Sequence, residues 1–536
     1  LFSFVVLYMA YRAWLLRKTY RPVHILAAFL LAGGVLCLSE DVSKTVPVEL
    51  LGKEYEIHLY LIYNGVFLLL YLLSMLYGTI RVEVPEDATQ QELVEARQEK
   101  NRLQQVCALL LLAIMGVELI GNLTNFGLCF TGTGVSNYPK GTNKAASVIR
   151  YMHEREEDNL FFRADTTHSQ TLNDGALNNY NGVTAFASSV NVKTTEFIKT
   201  LGFSAKNTYN RYLFEESSPV ANLFLGLKYM IDRDDKDKTS TYFAEKNHFG
   251  KTTLLENQAY LPLAFLAEPE LAEQIFESAS NAFLFQNALF CSATGLQEDV
   301  WYRVPGKYLT LTAQDATITD QDGTGYLKYS ETKKNGSVTY CFQVPRDGFA
   351  CIHLNLPKRN DYHVIVNGQE RYKESISLPQ LIAICDVVPG DTVTVRIKGK
   401  GEASGTTTLL AAVLQDDVFQ QAYDKLSRST YQITSFESTR VEGTIDCDRD
   451  GLMYTSIPQD GNWSATVDGQ PAEITLVGDA MIGLKLTQGS HTVVFDYHNG
   501  AFSLGWKVSL SCAAAFAMIT AVFYPARRKK GKFEQA

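Results

Sequence analysis

Two adjacent hydroxyls, Ser188 and Ser189, sit in the stretch YNGVTAFASSVNVKTTEFIKTLG (180–202), between a Gly-aromatic run and an amphipathic segment ending in Leu-Gly. A serine nucleophile of the hydrolase kind needs the strand-to-helix elbow G-x-S-x-G, and that pattern is absent here. Hydroxyls in a Gly/Ala-rich turn most often satisfy backbone groups, so packing or capping stands beside sugar contact as the reading of this pair. Glu118 lies in AIMGVELIGNL, inside an otherwise apolar run, and Asn122 follows one helical turn later. A carboxylate at mid-bilayer costs about 2.5–3.5 kcal/mol, which marks such a residue for function by default. Snorkelling to the interface, an interhelical hydrogen bond and a functional intramembrane polar site are the open readings of Glu118 and Asn122.

Metal and cofactor chemistry has little to rest on. The segment DCDRDG (446–451) opens like a calcium loop, but its twelfth position is Ile457 rather than a bidentate Glu, and strand-like runs flank it. A turn between strands is the better reading. His353 and His363 lack a second ligand pair at metal spacing, and no C-x-x-C occurs. No metal and no cofactor are expected. Tyr454 and Trp463 belong to a strand-rich stretch, where each could stack on a sugar ring or fill a core. Hydrolysis of a glycoside would need two carboxylates about 5–9.5 Å apart, a pairing that sequence alone does not reveal.

The elements that must position these groups fall into two textures. The chain has 536 residues, of which 46% are hydrophobic, but the apolar runs crowd into residues 1–121 and 504–524. A membrane helix needs roughly 20 apolar residues. Five spans are expected on that ground, at 1–16, 23–39, 57–80, 105–123 and 504–524. The second is marginal, with a buried or re-entrant helix as its alternative. The opening LFSFVVLYMAYRAWLL has no charged n-region and no small-residue cleavage site, so it is not read as a signal peptide. The chain is expected to begin inside a larger membrane domain.

Lysine and arginine set the orientation. The link Arg17-Lys18-Thr19-Tyr20-Arg21, the loop ending EARQEKNRL and the tail ARRKKGK are basic, whereas the loop at 40–56 is acidic. Alternating sides gives cytoplasmic basic loops, a cytoplasmic C-terminus and an outer region spanning 124–503. The formal net charge of −9 then belongs mainly to the solvated outer part and argues against a nucleic-acid partner. Of the cysteines, Cys37, Cys107 and Cys512 fall in the spans, and Cys341 and Cys351 flank the turn VPRDG, where a disulfide is conceivable.

The outer region divides by pattern. Residues 124–295 mix helical and strand-like stretches: NKAASVIRYMHERE has helical spacing, NLFFRADT reads as a strand, and SPVANLFLGLKYMIDR as a short helix running into a strand. That mixture suggests an extracytoplasmic α/β domain. Residues 296–420 alternate apolar and polar positions in YLTLTAQ, SVTYCFQV, FACIHLNL, YHVIVNG and TVTVRIKG, the signature of a β-sandwich module. A helical linker, DDVFQQAYDKLSRS, leads into a second β-module at 421–503, followed by the span 504–524 and a basic tail at 525–536. The fold class is thus a multi-domain membrane protein, with α-helical transmembrane segments (1–123) and extracytoplasmic α/β and β-sandwich parts.

Several stretches carry a resemblance. The run NNYNGVTAFASSVNVKTTEFIKTLG, then SPVANLFLGLKYMI, LLENQAYLPLAF and DGNWSATVDGQPAEITLVGDAMIGLKLTQGSHTVVFDY resemble, in the same order, segments of the bacterial YfhO family of membrane proteins. The opening LFSFVVLYMAYRAWLL is similar to the span that follows that family's aromatic-rich outer loop. No single match is a strict signature, but their colinearity is specific.

The resemblance implies a multi-pass plasma-membrane protein of the GT-C-like glycosyltransferase type. Such a protein takes a sugar from a polyprenyl-phosphate carrier on the outer face and decorates an envelope polymer such as lipoteichoic acid. Its partners would be membrane lipid, the lipid-linked donor and the polymer acceptor. The catalytic acid of that chemistry is expected in an outer loop upstream of Leu1, so no catalytic residue carries over by motif. Glu118 and Asn122 then become a possible lipid-carrier site, and Ser188, Ser189, Tyr454 and Trp463 sugar contacts. A non-catalytic polymer-binding or scaffold protein is the alternative, and an extracellular glycosidase a third class.

Overall fold

The computed structural model describes residues 20–38, 46–50, 53–57, 59–80, 88–129 and 142–533, together with positions 8, 9, 12 and 82; within the long stretch, 170, 207–209, 216–217, 234–237, 274–280, 332–335, 357–359, 377 and 399–403 are excepted. The expected span at 1–16 therefore lies almost wholly outside the described residues. The chain forms two compact units, Leu1–Gly134 and Val135–Ala536.

The first unit holds helices α1 (Pro22–Leu38), α2 (Leu59–Tyr77) and α3 (Gln90–Cys129), and between α1 and α2 lies an antiparallel hairpin, Val46–Leu50 with Lys53–Ile57, in the stretch expected to be an acidic loop. Helix α3 is longer than its apolar run. Thr89 and Glu92 form a capping box: the Glu92 carboxylate accepts from the Thr89 amide at 2.8 Å, and the Glu92 amide donates to the Thr89 hydroxyl at 3.4 Å. The polar segment ending EARQEKNRL, expected to be a loop, is therefore the first part of this helix. Gln90–Leu128 and Gly500–Ala521 are long and apolar enough to cross a membrane, while Pro22–Leu38 and Leu61–Tyr77 are shorter apolar helices. Glycines let α2 and α3 approach: a Cβ on Gly121 would stand 2.6 Å from the Tyr63 hydroxyl.

In the second unit, helix α4 (Thr142–Arg155) buries Val148, Ile149 and Met152 against a four-stranded mixed sheet. Its order is Arg163–Thr166, Leu227–Arg233, Thr252–Asn257 and Phe243–Phe249, with the first pair parallel and the others antiparallel. Helix α5 (Val192–Thr200) follows the Ser188–Ser189 turn. Helix α6 (Pro219–Leu225) begins with Ser218 capping the Ala221 amide and Pro219 in its first turn, and it ends at Gly226 (φ +62°), which turns the chain into strand Leu227–Arg233. Helix α7 (Ala282–Thr294) is capped by Asn281.

Residues from Trp301 to Leu414 build two sheets. One runs Ala316–Gln321, Tyr326–Glu331, Ser404–Leu414, Gly348–Asn355 and Gln380–Val387, with Trp301–Arg303 also paired to Ser404–Leu414; the other runs Thr310–Gln314, Ser337–Gln343, Thr392–Lys398, Asn360–Val366 and Gln369–Ile376. Inward residues of both, among them Leu327, Ile352, Tyr340 and Val395, share one core. Cys341 and Cys351 stand on different sheets of this pair and are both free thiols, which corrects the disulfide expectation.

Helix α8 (Asp416–Leu426) then leads to two further sheets. One is Gln432–Glu437, Arg440–Cys447, Gly489–Tyr497, Trp463–Val467 and Gln470–Ala472. The other is Ala264–Ala267, Gly451–Pro458, Met481–Leu486 and Thr475–Val477. Strand Ala264–Ala267 comes from the region upstream of α7 and pairs with Gly451–Pro458, so the sheets cross the expected divisions at 295 and 421. A single core reinforces this, running from Phe197 and Phe224 through Phe290 and Phe349 to Phe419 and Tyr454. Helix α9 (Gly500–Phe533) closes the described chain and continues through the basic tail.

Candidate functional site

Ala187, Ser188, Ser189 and Val190 make a turn closed by the Val190 amide on the Ala187 carbonyl (3.3 Å), and both serines are exposed. Capping falls to Asn191 instead. Its Oδ1 accepts from the Lys193 amide at 2.8 Å and the Thr194 amide at 3.2 Å, which starts α5. Its Nδ2 donates across to the Gln459 carbonyl at 3.3 Å. Gln459 in turn holds the DGNW turn, its Oε1 accepting from the Gly461 amide at 2.9 Å and the Trp463 amide at 3.3 Å.

These contacts bring two distant segments to one groove of about 240 Å³, lined by Ser189, Val190, Asn191, Thr194, Tyr212, Pro458, Asp460 and Trp463. Trp463 is half-buried, packing partly on the core while meeting Tyr497 edge-on at 5.0 Å. Asp460 accepts from the Asn462 amide at 3.0 Å and the Tyr497 hydroxyl at 2.8 Å. Burial works against its charge, but the hydrogen bonds from Asn462 and Tyr497 outweigh it, and its carboxyl is held below the usual carboxylate range. Burial pushes the Tyr212 phenol up. The Thr194 hydroxyl is buried without a hydrogen-bond partner among the described residues.

The end of α5 is fixed from behind. Gly202 has φ +108°, and a Cβ there would stand 2.5 Å from the Leu381 side chain, while its carbonyl accepts from the Leu381 amide at 2.7 Å. The buried Gln286 amide donates to the Leu201 carbonyl at 2.6 Å, and its Oε1 accepts from Ser218 (3.0 Å) and from the Trp301 indole (2.8 Å). The Leu-Gly ending is therefore a backbone requirement of the fold.

The other expected site residues separate. Tyr454 is fully buried, its ring among Phe224 and Phe265 and its hydroxyl donating to the Phe224 carbonyl at 3.1 Å. No ring face is left for a sugar, which corrects its reading as a contact. In the first unit, the Tyr71 hydroxyl of α2 donates to Glu118 of α3 at 2.5 Å, an interhelical bond, while Asn122 is exposed. DCDRDG forms the turn between strands Arg440–Cys447 and Gly451–Pro458, with Asp450 accepting from the Gln488 amide at 2.7 Å. His353 is held neutral by burial, its pKa brought down to about 4. His363 is engaged by Glu370 at 2.6 Å. Among the described residues no group of three or more His, Cys, Asp or Glu side chains could hold a metal.

Asn191, Thr194, Tyr212 and Asp460 were not singled out by sequence. Asn ahead of an amphipathic run and Asp-Gly-Asn before a Trp are cap and turn signals, but neither says that the two meet.

The match to known families is decisive for kinship. A model described as bacterial membrane protein YfhO covers residues 1–509. The chain belongs to the YfhO family. No curated protein matches it. Among solved structures, this YfhO protein is similar to a family two carbohydrate esterase from Clostridium thermocellum, at 14% identity and a TM-score of 0.16 over 20% of this chain and 31% of that one. It is also similar to a low affinity xylan binding module from Roseburia intestinalis, at 16% identity and a TM-score of 0.18 over 22% of this chain and 98% of that one. Neither likeness bears on what this YfhO protein does.

Proposed function

We propose that the chain is part of a bacterial membrane glycosyltransferase, which takes a sugar from a polyprenyl-phosphate carrier and adds it to an envelope polymer such as lipoteichoic acid. The observation that carries this reading is the family match, which runs without a break through the apolar helices and the sheet-rich unit. In this reading the chain is multi-pass, its basic segments and C-terminus are cytoplasmic, and the sheet-rich unit lies outside, divided into α/β and β-sandwich parts. Glu118, held by Tyr71 within an apolar helix pair, supplies a polar point at the membrane where a carrier headgroup can be met. Outer-face chemistry of this kind asks for an acid acting as base toward the acceptor hydroxyl. The second reading, a polymer-binding protein without transfer, has its own support in the groove at Trp463.

Membranes holding the full protein, given a labelled polyprenyl-phosphate hexose and purified envelope polymer, distinguish the two. Label moving onto the polymer only when the protein is present supports transfer. Polymer retained on the membranes with no label moved supports the second reading and removes the first.

A further inference from the structure

The groove between the start of α5 and the DGNW turn brings an aromatic face and a carboxylate side by side. Trp463 offers part of an indole to the groove while the remainder is anchored on the core and on Tyr497. An aromatic ring fixed in this way stacks on an apolar ring face without losing much conformational entropy. Next to it, Asp460 is oriented by the Asn462 amide, the Asn462 side chain and the Tyr497 hydroxyl. An ionised carboxylate has about four acceptor sites, so capacity remains for one further O–H group. Thr194, only 3% exposed, lines the groove, and its buried hydroxyl has no hydrogen-bond partner among the described residues. Ser189 stands exposed at the rim.

From this geometry we infer that the groove is a binding site for one neutral pyranose unit, its ring stacked on Trp463 and one of its hydroxyls donating to Asp460. Charge selects against acidic sugars and phosphates. Lys193, at the start of α5, is engaged by Asp479 at 3.4 Å and Glu196 at 3.6 Å, so its charge is already balanced and Asp460 is left to repel an anion. The groove is short, with room for a single ring. The inference goes beyond the transfer reading and stands whether the protein transfers sugar or only holds it, because it concerns recognition and not reaction.

The test uses the full chain in nanodiscs and no sugar donor. Methyl glycosides of neutral hexoses and N-acetylhexosamines, with glucuronate and glycerol 1-phosphate as anionic probes, are screened by saturation-transfer NMR, and the affinity of the best is measured by titration. At least one neutral glycoside binds, and neither anion binds more tightly. Trp463→Ala weakens that glycoside about tenfold, the loss of one stacking contact, whereas Trp463→Phe retains most of the affinity. Asp460→Asn weakens it about fivefold. Ser189→Trp, at an exposed turn position where folding is spared, blocks the groove and abolishes binding. The free glycoside and the same sugar at the end of a polymer chain are run as separate arms, and equal affinity assigns recognition to the single ring. Absence of binding by every neutral probe, tighter binding of an anion, or affinity unchanged in both Trp463→Ala and Ser189→Trp each overturns the assignment.

Discussion

Replacing Gln286 with Leu is the sharpest probe of how the 180–202 stretch is held. Gln286 is fully buried on α7 and joins three elements: it donates to the Leu201 carbonyl at the end of α5, and accepts from Ser218 at the start of α6 and from the Trp301 indole. Leu has similar volume, so the cavity term is small and the loss is almost wholly polar. Three hydrogen bonds disappear, at a net value of about 1 kcal/mol each. The stranded Leu201 carbonyl and Trp301 N–H are in dry surroundings, where an orphaned group costs about 1–3 kcal/mol. Ser218 is partly spared, because its oxygen still caps the Ala221 amide at 3.2 Å. The expected cost is about 3–6 kcal/mol in total. In a unit of this size that corresponds to a fall in Tm of roughly 4–7 °C, read by differential scanning fluorimetry of the detergent-purified protein. Gln297→Leu, at an exposed position past the end of α7, serves as the control and should shift Tm by under about 1 °C. A Gln286→Leu protein that melts with the parent would refute the network as a stabilising element.

Gly202→Ala forces a side chain into a left-handed backbone and against Leu381; a loss of about 2–4 kcal/mol is expected, seen as a lower midpoint in urea, and a parent-like midpoint would count against the local geometry. His491 donates to Asp468 at 2.8 Å, and that hydrogen bond raises its pKa above the ordinary value. Because the folded state holds the proton more tightly, the stabilisation is complete below the unfolded value of about 6.5 and is lost as pH rises through the folded value. Tm should therefore decline slightly from pH 6 to pH 9, and Asp468→Asn should flatten that decline. Single cysteines placed in 296–420 of an otherwise cysteine-free protein should react with a membrane-impermeant maleimide in intact cells, whereas those in 84–100 should react only after lysis; the reverse pattern would undo the proposed orientation.

Punctuation made some of this architecture readable in the chain. Ser218, Pro219 and Gly226 mark both ends of α6 and the entry to Leu227–Arg233, and the alternation in SVTYCFQV and TVTVRIKG places their strands. The start of α3 was not readable from hydropathy, because its first part is amphiphilic and charged and only the Thr89–Glu92 box announces it. Tyr454 and Trp463 are alike as aromatic residues in strand-rich sequence, yet their fates differ. Strand Gly451–Pro458 is buried on both faces, so its pattern lacks the alternation that would have separated core from surface. The groove itself was hidden for a different reason. Ser189 and Trp463 are brought to one groove by contacts such as the Asn191–Gln459 bond, a tertiary contact with no local signal.

Strand Ala264–Ala267 carries a consequence for how the protein is made. Its partner, Gly451–Pro458, is synthesised much later. At about 5–20 residues per second, the early strand waits roughly ten seconds or more before its hydrogen-bonding edge is covered. All four of its residues are buried in the finished protein, so during that interval an apolar, unpaired edge is open to wrong partners. Assembly of the last sheets therefore cannot begin in order from the N-terminus, and a holding chaperone that shields this edge would raise the yield of native protein more than one acting on the nascent residues after 458.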